Sequence, residues 1–209
     1  LLFIDADSKL PNKSFIKNYL PYLRQDTVIY GGRSYVKRKP KSKSKIFHWT
    51  YGTSREALPA KKRNKRKYMR FMSNNFIVPR KIFESILFDA KHDGYGYEDT
   101  IFATKLSEQK IPILHIDNPL IHTGIENVEV FFNKTKNALD NLIISYHKKE
   151  ILDTRLILFY KNLQKFGLDK TTYRFLDKRI EKFEENLFGT GPTMRYFDLW
   201  KLHYFIKHV

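Results

Sequence analysis

Two carboxylates follow the first apolar segment of the chain. Residues 1–4 are apolar, and Asp5 and Asp7 come directly after them with one alanine between. Side chains alternate along extended backbone, so both carboxylates point to one side. In α/β sheets, ligands bind beyond the carboxyl ends of strands. Carboxylate oxygens suit Mg²⁺ or Mn²⁺, especially where substrate phosphates complete the coordination shell. The pair predicts a metal site, with a polar strand end closed by an Asx-turn as the alternative.

A second acidic pair, Glu98 and Asp99, follows Gly94-Tyr95-Gly96-Tyr97 and precedes a predicted helix. A carboxylate held at the mouth of a crevice can take the proton of an acceptor hydroxyl as a general base. Asp is also a good N-cap and Glu favours the first helical turn, so the pair could simply stabilise the helix. The helix dipole would lower the pKa of Asp99, and a role as base therefore requires burial or a neighbouring charge. Both interpretations stay open.

Two histidines flank the Asn118-Pro119 break. His122 is expected in a loop after a strand, where a neutral imidazole could join Asp7 at a metal. A structural or solvent-exposed histidine is the alternative. His115 alternates with Ile113 in the predicted strand, and we expect it in the core or behind the site.

Strands and helices alternate in the part of the chain that must position these residues. After residue 128 the hydrophobic pattern changes, and apolar residues recur every three or four positions. That spacing predicts three or four helices, separated near Glu150, at 167–169 and at 189–192. Before it, we predict strands at 1–4, 27–30, 70–78 and 111–117, helices at 15–23, 81–87 and 99–109, a basic irregular stretch at 37–68 and a polar loop at 91–97.

Size and composition indicate a folded chain. Its 209 residues, 42% of them hydrophobic, can bury a real core. No run reaches the roughly 18–20 apolar residues that a membrane-spanning helix needs, and no signal-peptide pattern is visible. The absence of cysteine excludes disulfides, thiolate metal ligands and cysteine nucleophiles. It fits a reducing compartment, so we expect a cytoplasmic location, with the inner face of the membrane as a further possibility.

The charge balance predicts an anionic partner. Lys and Arg number 39 against 22 Asp and Glu, a net charge of +17. Nucleic acid, phospholipid headgroups or a phosphorylated substrate would each suit it. The excess is concentrated at 37–45 and 61–67, where a solvated loop is the alternative interpretation. Neither run contains an aromatic residue on which bases could stack, and nucleic acid is therefore not the expected partner.

Taken in order, these segments resemble the C-terminal portion of a bacterial family-2 glycosyltransferase with the GT-A fold. The resemblance covers about residues 1–145, and 146–209 would be a helical C-terminal extension. It implies an α/β fold: a partial GT-A, Rossmann-like mixed sheet with flanking helices, followed by a helical appendage. The matching segments are Phe3-Ile4-Asp5-Ala6-Asp7, the Gly31-Gly32 strand end, 73–80, 94–99 and 115–122.

The resemblance also implies an activity. It is the metal-dependent, inverting transfer of a sugar from a nucleotide-diphosphate sugar to a hydroxyl acceptor, a glycan or a lipid-linked molecule, in cell-surface polysaccharide or glycan synthesis. Mn²⁺ or Mg²⁺ would be the cofactor, and peripheral contact with an anionic membrane would fit. The nearby basic groups, Arg55 and Arg63 among them, would help to hold the diphosphate or an anionic membrane.

Specific residues take roles by the same resemblance. Asp7 would be a direct metal ligand and His122 a metal or diphosphate ligand, while Asp5 would lie nearer the ribose. Asp99 would be the catalytic base and Glu98 its partner or an acceptor contact. The amides of Asn74 and Asn75, expected to follow a buried strand, would bind sugar hydroxyls or make a turn.

The chain departs from the family at its start. The family's fold begins with about three strand–helix units that form most of the nucleotide-base pocket, and only the strand with the acidic pair is present here. The first residue is not Met, and the first strand has no lead-in. We therefore expect a fragment of a longer protein that is inactive without the missing part.

Two other functions compete. A phosphatase of the haloacid dehalogenase type also begins with an apolar strand that ends in Asp-X-Asp. It needs a later acidic pair after a further strand, whereas Glu98 and Asp99 open a helix, and Ser8-Lys9 replaces its usual small residue and Thr or Val. A non-catalytic nucleic-acid-binding module is suggested by the net charge alone and lacks a recognisable RNA motif.

Overall fold

A computed structural model describes residues 1–86, 96–150 and 154–209. The chain is a mixed α/β protein, as the sequence predicts. Its described residues form two compact units, one of 1–39, 51–86 and 98–125 and the other of 40–50, 96–97 and 126–209. The boundary predicted at residue 145 lies inside a continuous helix that runs from Val128 to Lys148.

The first unit is built on two small sheets. The larger sheet has the order β1-β5-β3-β6, in which β5 is antiparallel to both its neighbours and β3 is parallel to β6. The smaller sheet has the order β2-β7-β4. The strands are β1 (Leu2–Ile4), β2 (Ser8–Lys9), β3 (Val28–Tyr30), β4 (Arg33–Tyr35), β5 (Asn75–Ile77), β6 (Ile113–His115) and β7 (Leu120–His122).

Aromatic and aliphatic side chains fill the core of the larger sheet. All three residues of β3 are fully buried, as expected for a central strand. Phe3 of β1 stacks on Phe76 of β5 with ring centroids 4.8 Å apart, and Phe71 packs edge-on against Phe76. The strand predicted over 70–78 is shorter than expected, because only Asn75–Ile77 pairs with its neighbours.

The helices that flank this sheet are short. The predicted helices at 81–87 and 99–109 are confirmed as α3 and α4, and Ile101, Phe102 and Leu106 are buried as expected. The helix predicted at 15–23 is a 3₁₀ turn, Lys17–Tyr22, with Pro21 inside it. Most of the polar loop predicted at 91–97 lies outside the described residues. In chain order the first four helices are α1 (Ile46–Tyr51), which lies almost wholly in the second unit, and α2 (Ala60–Arg63), α3 (Arg80–Ile86) and α4 (Glu98–Glu108) of the first unit.

The basic stretch 37–68, which was predicted to be irregular, contains helical structure. It contains α1, a π-helical turn over Gly52–Glu56 and α2. Arg63, at the end of α2, is buried and donates hydrogen bonds to the carbonyl groups of Leu58, Gly31 and Ile116. These inward bonds hold a segment whose composition alone indicates a solvated loop.

Helices make up the second unit. The predicted breaks near Glu150, at 167–169 and at 189–192 are confirmed, but a further break at Lys178–Arg179 was missed. Trp200 of the last helix packs against Phe132 and donates a hydrogen bond to Glu184. In the described part of the chain, no helix is long and apolar enough to cross a bilayer. The helices are α5 (Val128–Lys148), α6 (Arg155–Lys165), α7 (Asp169–Asp177), α8 (Ile180–Phe188) and α9 (Met194–His208).

Candidate functional site

Asp7 and His122 face each other across the smaller sheet. Ser8 of β2 pairs with His122 of β7, and this register brings the preceding Asp7 beside the imidazole. Oδ1 of Asp7 lies 3.3 Å from Nδ1 of His122. The imidazole is buried, whereas about half of the Asp7 side chain is exposed. His122, expected in a loop, therefore lies in a strand, because β2 pairs with the residues that follow the Asn118-Pro119 break.

The backbone around Asp7 is fixed by the loop after β7. Thr123 donates two hydrogen bonds to the Asp7 carbonyl oxygen, from its amide at 2.9 Å and from its hydroxyl at 2.6 Å. The next residue, Gly124, packs directly on the carboxylate, since a Cβ there would lie 2.5 Å from Oδ2 of Asp7. A side chain at this position would displace the Asp7 carboxylate from where it lies beside His122.

Asp5 belongs to an ion-pair network with Arg33 and Glu56. Nη2 of Arg33 lies 2.8 Å from the Asp5 carboxylate, and Nη1 lies 3.2 Å from that of Glu56. The Tyr35 hydroxyl donates to the same Glu56 oxygen. Burial disfavours the charge on Arg33, but the carboxylates of Glu56 and Asp5 outweigh it and raise the pKa of the guanidinium. Arg33 is therefore a permanent cation between two carboxylates.

Tyr35 joins this network to the Asp7–His122 pair. Its ring packs edge-on against the His122 imidazole, with centroids 5.3 Å apart. Burial and the charge of Glu56 raise the pKa of its phenol, so Tyr35 stays a neutral hydrogen-bond donor. A continuous path of contacts thus runs from the carboxylate of Asp7 to that of Asp5.

Asp99 lies in the first turn of α4, and the charge of Glu56 in the ion-pair network acts on its carboxyl group. It is half-buried, and burial raises the pKa of its carboxyl to about 6. The negative charges of Glu98 and Glu56 raise the pKa further, whereas hydrogen bonds from Thr100 oppose the shift. Burial and neighbouring charge therefore outweigh the lowering expected at a helix start. Glu98 itself is exposed.

The two asparagines occupy different environments. The backbone carbonyl of Asn74 accepts a hydrogen bond from the Asp5 amide at 3.0 Å, and its side-chain oxygen accepts one from the Tyr30 hydroxyl. Within the described residues, the Asn74 Nδ2 is buried without a hydrogen-bond partner. Asn74 therefore lies beside the acidic pair and keeps an amide donor uncommitted.

Asn75 is a structural residue of the sheet, although it was expected to bind substrate. It is fully buried in β5, where its amide oxygen accepts from the Tyr19 hydroxyl and its nitrogen donates to the carbonyls of Gly32 and Asn118. A substrate would have to displace these bonds to reach it. We leave Asn75 out of the candidate site.

Sequence reasoning missed Arg33, Tyr35 and Glu56. One signal for Glu56 was available, because it is the only Asp or Glu between Asp26 and Glu84, in the most basic part of the chain. An isolated carboxylate in such a segment indicates a specific partner. Nothing local indicated Arg33, which the pairing of β4 with β7 brings to the site.

Two further residues near the strand ends, His115 and Arg63, are buried parts of the fold. His115 is a core residue, as expected; its Nε2 lies 2.9 Å from the Lys67 carbonyl, and burial lowers its pKa to about 4. Arg63, expected to hold diphosphate, instead binds backbone carbonyls and lies over the Tyr30 ring. That expectation was wrong, because its guanidinium is buried in the fold.

Few described side chains around Asp7 could hold a metal ion. Across residues 1–86, 96–150 and 154–209, no three His, Asp or Glu side chains are grouped to hold a metal ion. Asp7 and His122 supply one carboxylate and one imidazole. Two such ligands suit Mn²⁺ or Mg²⁺ where substrate phosphates provide further oxygens.

Comparisons with protein-family models, with curated proteins and with solved structures found no match to this chain.

Proposed function

We propose that the chain carries part of the active site of a metal-dependent, inverting glycosyltransferase of the GT-A type. Its donor would be a nucleotide-diphosphate sugar and its acceptor a hydroxyl group on a glycan or a lipid-linked molecule. The observation that carries the proposal is the path of contacts through Arg33, Glu56 and Tyr35, which connects the strand-end carboxylates Asp5 and Asp7. Inverting transfer needs a base at the acceptor and a countercharge at the leaving group.

Asp99 is the base in this proposal. A carboxyl with a pKa of about 6 is mostly ionised at neutral pH, yet it takes a proton more readily than an ordinary aspartate. Asp99 would accept the proton of the attacking hydroxyl as the new glycosidic bond forms. Glu98, exposed next to it, would contact the acceptor.

Asp7 and His122 are the metal ligands in this proposal. A bound Mn²⁺ or Mg²⁺ would neutralise charge on the departing nucleoside diphosphate. Asp5, held by Arg33, would accept a hydrogen bond from the ribose, and the backbone carbonyl of Asn74 accepts a hydrogen bond from the Asp5 amide. In the family's fold the nucleotide-base pocket is formed by strand–helix units other than the strand with the acidic pair, so the activity is tested on the full natural form of the protein.

The test is sugar transfer by that form with and without Mn²⁺, in the wild type and two single variants. Asp7→Asn and Asp99→Asn should each lower kcat/KM by a factor of about 10² or more, because one weakens the countercharge and the other removes the base. Asp26→Asn, an exposed carboxylate in a turn, is the matched control and should keep the rate.

Two outcomes would contradict the proposal. Retention of full activity by either site variant would remove its basis. Hydrolysis of a phosphomonoester that is lost in Asp5→Asn would support the phosphatase alternative instead, since Asp5 would then be the nucleophile.

A further inference from the structure

The turn between α6 and α7 exposes large apolar side chains. Phe166 is 70% exposed and Leu168 is 48% exposed, although they are separated only by Gly167. A Cβ placed on Gly167 would have no neighbour within 4 Å, so the turn is surrounded by open space. We call Phe166, Gly167 and Leu168 the apolar tip. Single exposed apolar residues are common on protein surfaces, whereas large apolar residues grouped on a projecting turn form a patch, and exposed patches mark interaction sites.

The backbone of the apolar tip is fixed by hydrogen bonds. The Leu168 amide donates to the Leu163 carbonyl at 2.9 Å, and the Gly167 amide donates to that of Gln164 at 3.0 Å. Gly167 has a φ of +66°. These bonds form a Schellman motif, which ends α6 three residues before α7 begins. The tip therefore presents its side chains on an ordered turn.

Exposed cations flank the apolar tip on both sides. Lys165 precedes it and Lys170 follows it, and both are exposed. Between residues 154 and 179 the chain carries seven Lys or Arg and only two Asp, Asp169 and Asp177. Phe159 on α6 is also exposed, whereas Ile157 and Tyr160 of the same helix are buried. The combination is a projecting apolar turn within a positively charged hairpin.

We propose that the apolar tip inserts into the headgroup region of an anionic phospholipid bilayer, with Lys165 and Lys170 bound to lipid phosphates. Interfacial segments have this composition, in which Phe and Leu enter the acyl boundary and Lys or Arg meet the headgroups. Charge complementarity favours this partner, because the hairpin has a clear excess of positive charge. The inference concerns the second unit and does not depend on the proposed sugar transfer.

The test is co-sedimentation with vesicles of neutral phosphatidylcholine, alone or mixed with about one quarter phosphatidylglycerol. The wild type should bind only the anionic vesicles, and binding should weaken as salt is raised. Phe166→Ser combined with Leu168→Ser should lower the apparent affinity about 10- to 100-fold, because two apolar side chains no longer leave water. Both positions are exposed, so the variant should keep the wild-type melting temperature.

Two matched controls distinguish binding through the apolar tip from nonspecific binding through other exposed leucines or through net charge. Leu10→Ser with Leu20→Ser removes two similarly exposed leucines of the first unit, and it should leave binding unchanged. Lys165→Gln with Lys170→Gln should weaken binding about tenfold or more. Lys61→Gln with Lys62→Gln removes the same charge elsewhere and should have a much smaller effect.

A second measurement reports insertion directly. In Phe166→Trp, the tryptophan emission should shift to shorter wavelength with anionic vesicles and should be quenched by brominated lipid. Absence of both signals would overturn the proposal. The proposal would also be overturned if the Lys165/Lys170 and Lys61/Lys62 variants lost equal vesicle affinity, because the attraction would then depend on net charge alone. Self-association that the serine pair abolishes, without vesicle binding, would assign the tip to contacts between copies of the chain instead.

Discussion

Glu56 links most of the groups in the candidate site. It accepts a hydrogen bond from Tyr35, forms an ion pair with Arg33 and adds negative potential at Asp99. Without it, Arg33 would carry its buried charge with one partner fewer, and Tyr35 would lose one hydrogen-bond acceptor. We infer that Glu56 positions the other groups and tunes the proposed base, although it need not touch substrate.

Replacing Glu56 with Gln should lower the pKa of Asp99. The substitution removes a negative charge and leaves the positive charge of Arg33 less neutralised, and both changes favour ionised Asp99. A base works in its ionised form, so we expect the acidic limb of the pH–rate profile to have its midpoint near pH 6 in the wild type and at a lower pH in the variant. Carbon chemical shifts of the Asp99 carboxyl group against pH would measure this without any assay of transfer. An unchanged or raised midpoint would show that Glu56 does not act on Asp99.

Arg33→Met should destabilise the first unit. The change leaves Glu56 without its cation and Asp5 with less support, and the carboxylates would then repel each other. We expect a loss of about 1–3 kcal/mol in the free energy of unfolding, less than for a fully buried pair because Asp5 is partly exposed. Urea denaturation measures it, with Arg80→Met, at an exposed pair, as the control near zero. Equal losses in the two variants would contradict the network.

Among the elements, β5 holds the first unit together through Asn75. Its amide connects the strand to Tyr19 of the 3₁₀ turn, to the end of β3 at Gly32 and to Asn118 before β7. Three separate segments therefore meet at one buried side chain. The absence of a side chain at Gly31 leaves room for these contacts. A Cβ there would collide with the Tyr19 hydroxyl and the Asn75 amide.

Asn75→Ala should cost about 2–4 kcal/mol of unfolding free energy, since it removes three buried hydrogen bonds, those to the Tyr19 hydroxyl and to the carbonyls of Gly32 and Asn118. Tyr19→Phe removes only one of these bonds and should cost about 1 kcal/mol. Urea denaturation of both variants at neutral pH would compare them. If the two losses are equal, the amide does not join the segments as the contacts indicate.

The sequence predicted the elements whose patterns are local. Apolar runs indicated β1, β3 and β6, and the spacing of Ile101, Phe102 and Leu106 indicated α4 with its buried face. The strand at His122 could not be found this way, because it exists through pairing with β2 and β4, which are distant in the chain. The same non-local pairing brings Arg33 to Asp5, so the acidic pairs were predictable and the cation between Asp5 and Glu56 was not.

At the scale of the whole molecule, net charge opposes compaction. The +17 is carried mostly by exposed lysines and arginines, and the folded chain holds these charges closer together than the unfolded chain does. Salt at physiological concentration shortens the range of this repulsion to about 8 Å. Stability should therefore depend on ionic strength even without a ligand.

The melting temperature should rise by a few degrees as NaCl increases from about 20 to about 300 mM, because screening relieves repulsion more in the folded state. Differential scanning calorimetry would measure it. Lys61→Glu with Lys62→Glu lowers the net charge and should reduce the rise, whereas Lys61→Arg with Lys62→Arg should preserve it. A melting temperature that falls with salt would show that attractive ion pairs outweigh the general repulsion.

The π-helical turn over Gly52–Glu56 places Glu56 at its last residue. Such a turn contains one residue more than an α-helical turn, and each residue of a helix advances by about 100° around the axis. Loss of a single residue there would rotate the Glu56 carboxylate away from Arg33 and Tyr35 while every side chain of the site remained in the sequence. Insertions and deletions in this segment would therefore disable the network more surely than most substitutions, and the length of the Gly52–Glu56 turn is a constraint on natural variants of the chain.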